Sequence, residues 1–142
     1  MPGILVGLDG SSAAHHALEW AIKHAALEHA PLTVLAVHEV ARSAWTGNPI
    51  IYPGDRAEED KARQAAQEAV DSTIGELGAQ PASVTVSAVS GQAAQALIDA
   101  SGEADLVVVG LRGTGGFADL LMGSVSSKVV HHAACPVVVV RS

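Results

Sequence analysis

The sequence predicts an α/β protein: a five-stranded parallel sheet with helices on both faces, in one domain spanning residues 1–142. Two observations carry that prediction. Short aliphatic runs alternate with longer stretches of helical periodicity along the whole chain, and such alternation implies right-handed crossovers and parallel pairing. The fourth run then opens into a glycine-rich stretch that ends at a helix start, an arrangement that recurs at anion sites on the carboxyl edge of parallel sheets. The chain is long enough to bury a core. With 49% hydrophobic but only 3% aromatic residues, that core must be built from Ala, Val, Leu and Ile.

In chain order, Ile4–Leu8 is a short apolar strand that ends at Asp9-Gly10-Ser11-Ser12, where the serines can cap the helix that follows. That helix, roughly residues 13–30, puts Ala14, Leu18, Ala21, Ile22 and Ala25 on one stripe and Glu19, Lys23 and Glu28 off it. Pro31 breaks it, and residues 32–37 form the second strand. Residues 42–55 are irregular, punctuated by Gly47, Asn48, Pro49, Pro53 and Gly54. This loop carries Trp45 and Tyr52, which either fold over a ligand or pack on the core. A second helix at 56–77 has Ala62, Ala66, Ala69, Thr73 and Leu77 as its buried stripe, and Glu58-Glu59-Asp60 as a solvated, dipole-favoured start. Residues 84–89 are the third strand, 92–101 a short helix, 106–109 the fourth strand, 124–134 the last helix and 136–140 the last strand.

Four glycines, Gly110, Gly113, Gly115 and Gly116, crowd the exit of the fourth strand, and Gly123 precedes Ser124, an N-cap residue type. Missing Cβ atoms let backbone approach a ligand, while free N–H groups and the helix dipole favour phosphate oxygens. Asp9, at the carboxyl end of the first strand, can accept ribose hydroxyls or help hold Mg²⁺ near phosphates. Arg112, the basic group within the glycine stretch, either approaches phosphates or points into solvent, whereas Lys128 reads as an exposed helix lysine. Competing motifs fail. The P-loop lysine is missing, and no Gly-x-Ser-x-Gly elbow is present. Gly113-Thr-Gly115-Gly-Phe-Ala118 follows the fourth strand without an acidic residue about twenty positions on. None of the seven histidines has the spacing of a zinc motif.

The pattern Gly110, two residues, Gly113, nine residues, Gly123-Ser124 resembles the nucleotide-binding signature of the universal stress protein family. Gly7-Leu8-Asp9-Gly10-Ser11 and the ending Cys135-Pro136-Val137-Val138-Val139-Val140 are similar to that family too, so the resemblance spans nearly the whole chain. It implies a Rossmann-like three-layer sandwich with strand order 3-2-1-4-5, in which the Asp9 turn and the glycine stretch face each other across a crevice between strands one and four. It further implies ATP as ligand, with Mg²⁺, and nucleotide contacts from Asp9, Gly10, Ser11, Gly110, Arg112, Gly113, Gly123, Ser124 and Val125. The backbone at Val37, the end of the second strand, would meet the adenine edge. A homodimer through the C-terminal strand is also implied. Val137–Val140 would otherwise leave an apolar sheet edge without internal charge or bulge.

The net charge of −7 argues against a nucleic-acid or anionic-membrane partner. The single cysteine, Cys135, excludes an intrachain disulfide. No apolar run reaches membrane-spanning length and no leader is expected before the first strand, so the expected location is the cytoplasm. The functional expectation is an ATP-binding, nucleotide-responsive regulatory module of stress response. The alternatives are a slow Mg²⁺-dependent ATP hydrolase or phosphotransferase, and an interaction module for another adenine nucleotide such as cyclic AMP.

Overall fold

The computed structural model describes residues 3–9, 12–39, 45–46, 55–111 and 124–141. Five strands and four helices alternate: β1 (Ile4–Leu8), α1 (Ser12–Glu28), β2 (Pro31–Glu39), α2 (Asp55–Leu77), β3 (Ser83–Gly91), α3 (Ala93–Ser101), β4 (Leu106–Leu111), α4 (Ser124–His132) and β5 (Val137–Arg141). All pairings are parallel, in the order β3-β2-β1-β4-β5. β1 is central, with Val6 level with Val34 of β2 on one side and Val108 of β4 on the other.

The inner strands β1, β2 and β4 are covered on both faces, so each contributes alternately to two cores, while the edge strands β3 and β5 are only half-buried. On one face Ile4, Val6, Leu32, Val34, Ala36 and Val108 meet Leu18 and Ile22 of α1 and Ala66 and Val70 of α2. On the other, Leu5, Leu35, Val37, Val107 and Val109 meet Leu97 of α3 and Val129 of α4. Fully burying one such side chain contributes roughly 1.5–3 kcal/mol. The stripe predicted for α1 is buried throughout, and Ala13 and Ala17 extend it. In α2 the stripe is only partly right. Ala66 and Thr73 are buried while Ala62, Ala69 and Leu77 are half-buried, and Val70, absent from the prediction, is completely enclosed.

Element ends differ from the sequence expectation by a residue or two, for local reasons. α1 stops at Glu28 because His29 turns into the left-handed region (φ 52), after which the Ala30 N–H donates to the Ala25 carbonyl at 2.9 Å. α2 ends in the same way at Gly78 (φ 63), whose N–H donates to Ile74 O at 2.9 Å. β2 and β3 extend each other, pairing from Pro31↔Ser83 to Glu39↔Gly91. β4 runs on to Leu111 because β5 pairs alongside it, Gly110 with Val140 and Leu111 with Arg141. Gly110 is therefore a strand residue, not the first residue of a loop.

Candidate functional site

At the carboxyl ends of β1 and β2 a crevice of about 610 Å³ opens between the sheet and the helices α1 and α2. β1 contributes Leu8 and Asp9, and β2 contributes Ala36, Val37 and His38. The register sets Leu8 beside Ala36, so Asp9 follows beside Val37, which does not end the second strand as expected because pairing with β3 carries β2 on to Glu39. α1 contributes His15, one turn into the helix, whose Nε2 lies 3.0 Å from Glu19 Oε1. α2 contributes Glu58 and Lys61 at the rim, with Lys61 Nζ donating to Glu58 Oε1 at 3.3 Å, and alanines at 62, 65, 66 and 69 along the wall.

Two of the residues expected to contact a nucleotide, Asp9 and Val37, thus share one crevice. Asp9 is exposed, whereas the Val37 side chain is buried in the α3/α4 core, which leaves its backbone as the part of interest for a ligand. Ser124 is the first residue of α4, and the Val125 side chain packs on that same core. Gly10, Ser11, Arg112, Gly113 and Gly123 lie outside the described residues, as does Tyr52. Trp45 is 96% exposed, so it does not pack onto the core.

The crevice sits over β1 and β2, and β4 provides none of its described lining. The expected crevice between the Asp9 turn and the glycine stretch involves residues 10–11 and 112–123, which lie outside the described residues; on the α1 face the first turn of α1 packs against the end of β4. A Cβ on Gly110 would run into the carbonyl of Ala13 in the first turn of that helix. Gly110 accordingly has a packing reason to be glycine that the sequence pattern did not convey. The sequence reading also missed His15, His38, Glu58 and Lys61. His38 follows the end of the predicted second strand, and His15 lies one turn past the predicted cap, so proximity to strand ends was the signal available for both. Glu58 and Lys61 resemble any solvated first turn, and only the placement of α2 brings them to the crevice.

Among the described residues no three His, Cys, Asp or Glu side chains converge as a metal site. Mg²⁺ bound with phosphates needs only one or two protein carboxylates, and the exposed carboxylate of Asp9 suits that part. Among the described residues no helix is long and apolar enough to cross a membrane.

A parallel sheet in this strand order with helices on both faces defines an α/β protein of the doubly wound class, and the crevice lies at the carboxyl edge of that sheet. The chain belongs to the universal stress protein family, whose model matches residues 2–141. It is 38% identical over 142 residues to a universal stress protein of Mycolicibacterium smegmatis, an alignment covering 98% of this chain and 48% of that one. The chain thus spans about half the length of the curated relatives it matches. Among solved structures it is similar to UspA of Lactobacillus plantarum, with a TM-score of 0.67 and 26% identity over 99% of this chain and 97% of that one. A universal stress protein in complex with cAMP shares the fold, with a TM-score of 0.67 and 22% identity over 99% of this chain and 96% of that one.

Proposed function

We propose that residues 1–142 form a single universal stress protein domain that binds ATP and acts as a nucleotide-responsive regulatory module. The observation that carries this reading is the crevice joining Asp9 and Val37 at the carboxyl ends of β1 and β2. In this arrangement the adenine edge meets the Val37 backbone, and Asp9 accepts the ribose hydroxyls or holds Mg²⁺. Gly10, Gly113 and Gly123, with Ser11, Ser124, Val125 and Arg112, form the phosphate end, to which Gly110 contributes its backbone while its missing Cβ leaves room for Ala13. Mg²⁺ there would neutralise phosphate charge. The sequence offers no lysine of the P-loop kind and no evident base to activate water, which favours binding over turnover. Two copies pair through β5, an edge strand whose Val137–Val140 are half-buried.

The test is calorimetric titration of ATP into wild type and Gly123→Val. A valine side chain there would occupy the space in which backbone meets phosphate. The variant should stay folded and lose ATP, and an unchanged affinity in a folded variant would remove the assignment. A second reading, that the physiological ligand is a different adenine nucleotide, is favoured by the cAMP held by the structural neighbour.

A further inference from the structure

We propose that β3 is a second pairing edge of this chain, and that its occupant is the β3 strand of another copy, antiparallel and centred on Thr85. This goes beyond pairing through β5 and does not depend on nucleotide binding. β3 is the other outer strand of the sheet, and among the described residues no strand pairs with its far side. It runs for nine residues, against five in β5. An open strand edge is normally shielded by charge, proline, a bulge or shortness. β3 has none of these protections. Ser83–Gly91 contains no charged residue and no proline, and it pairs with β2 in unbroken register from Pro31↔Ser83 to Glu39↔Gly91.

The residues of the strand say which strand fits it. Ser83-Val84-Thr85-Val86-Ser87 reads the same in both directions. Two antiparallel copies centred on Thr85 therefore set valine opposite valine, serine opposite serine and Thr85 opposite its own counterpart, under the two-fold symmetry of a homodimer. Opposed β-branched residues and facing hydroxyls are favourable cross-strand pairs. Backbone direction agrees. The Ala82 N–H donates to the Ala30 carbonyl at 3.1 Å, so the backbone groups of the even-numbered residues face β2 and those of Ser83, Thr85 and Ser87 face outward. The symmetry centre thus falls on a residue that can exchange both N–H···O bonds with its counterpart. On one face of the strand Val84 and Val86 pack against the core yet are only half-buried, and a neighbouring strand completes their cover. On the other face Ser83 and Thr85 are exposed and small, so they leave the approach open.

Two measurements test the pairing. Sedimentation at tens of micromolar compares wild type with Thr85→Lys, and far-UV circular dichroism confirms that the variant is folded. Thr85 is exposed, so lysine leaves the core of a single copy untouched, whereas the two-fold axis brings two ammonium groups together. Separately, Thr85→Cys and Ser83→Cys are each combined with Cys135→Ser, which removes the single native thiol, and are mildly oxidised. The Cα atoms of a hydrogen-bonded antiparallel pair lie about 5.5 Å apart, within disulfide reach. Residue 83 would instead stand opposite residue 87, about 13 Å along the strand from its own counterpart and out of reach. Wild type should sediment as a larger species than Thr85→Lys, whose association through this edge weakens roughly tenfold or more. Thr85→Cys should form a covalent dimer and Ser83→Cys should not. Wild type that is monomeric at these concentrations, or Thr85→Lys that sediments as wild type does, overturns the proposal. So does a Thr85→Cys protein that links no faster than Ser83→Cys, the result expected if the edge is taken by residues 40–54 or by a strand of a different protein. Because β5 lies at the opposite edge, the cross-link reads this pairing separately from the one through β5.

Discussion

Replacing Gly110 by alanine separates the two reasons a glycine can stand at the end of β4. An ideal Cβ built there would lie 2.5 Å from the carbonyl carbon of Ala13 and 3.1 Å from its Cβ, against about 3.5–4.0 Å for a relaxed contact. Neither side can give way easily. β4 is clamped between β1 and β5, with Gly110 itself level with Val140. α1 is held down by Ala14, Ala17, Leu18 and Ala21, all buried. Overpacking of this kind costs about 1–3 kcal/mol, and the obstacle here is backbone, which places the cost in the upper half of that range. For a chain of this length each kcal/mol lowers Tm by roughly 3–5 °C, so thermal unfolding followed by circular dichroism should show a drop of roughly 6–15 °C. Adding Ala13→Gly relieves only the contact between the two Cβ atoms and should restore little of it. A Gly110→Ala protein that melts with wild type but has lost ATP would refute the packing argument and return Gly110 to the ligand.

Four further outcomes are expected. Ser101 is 1% exposed, and its Oγ donates to Ile98 O at 2.6 Å while accepting from the Ala134 N–H at 2.9 Å; Ser101→Ala should cost about 1–3 kcal/mol in denaturant unfolding, because the Ala134 N–H loses its acceptor, and an unchanged midpoint would contradict it. Burial, reinforced by the charge of Asp105 and opposed by a hydrogen bond from the Val107 backbone, raises the Cys135 thiol above the ordinary value of 9.0. Its contribution to stability is therefore complete below that value and lost as pH rises through the folded-state value, and alkylation at pH 8 should be slower in native than in unfolded protein; equal rates would count against this. ATP hydrolysis should be far below the ~10 s⁻¹ typical of enzymes, and turnover near that rate that disappears in Asp9→Ala would favour the enzyme alternative. Val138→Pro removes an N–H donor from β5 and should shift sedimentation towards monomer; wild type that already sediments as a monomer at tens of micromolar would end the pairing hypothesis.

The strands and helices were legible because β-branched runs and alanine-rich periodic stretches differ so sharply in this chain. Their limits were less so, because a strand continues as long as a neighbour pairs with it. The run Val86, Ala88, Ser90 gives no sign that β3 extends to Gly91 until β2 is laid beside it. Val70 shows the same dependence in a helix. It lies four positions from Ala66 and three from Thr73, so it fits the stripe, but choosing among Ala69, Val70 and Leu77 requires knowing how α2 crosses the sheet. Asp9 was legible as a residue of the crevice because strand ends line the carboxyl edge of a parallel sheet, whereas Val37 was reached only through the family resemblance. Glu58 and Lys61 were legible in neither way, because their roles depend on tertiary placement alone.

Connection length accounts for the position of the crevice. Between β1 and α1 only residues 9–11 intervene, so α1 must begin close to the sheet edge. Its first turn comes down on Gly110, and the small side chains Ala13, Ala14 and Ala17 let it settle there. Between β2 and α2 residues 40–54 intervene, and a connection of that length does not oblige the helix to start against the strand end. α2 meets the core through Ala66 and Val70, more than two turns in, while its first turns carry Glu58 and Lys61 along the crevice rim. On this face the crevice therefore opens over β1 and β2. At the end of β4 on the same face stands the first turn of α1 instead. The short first connection and the long second one are both visible in the sequence, and together they set the crevice against α2.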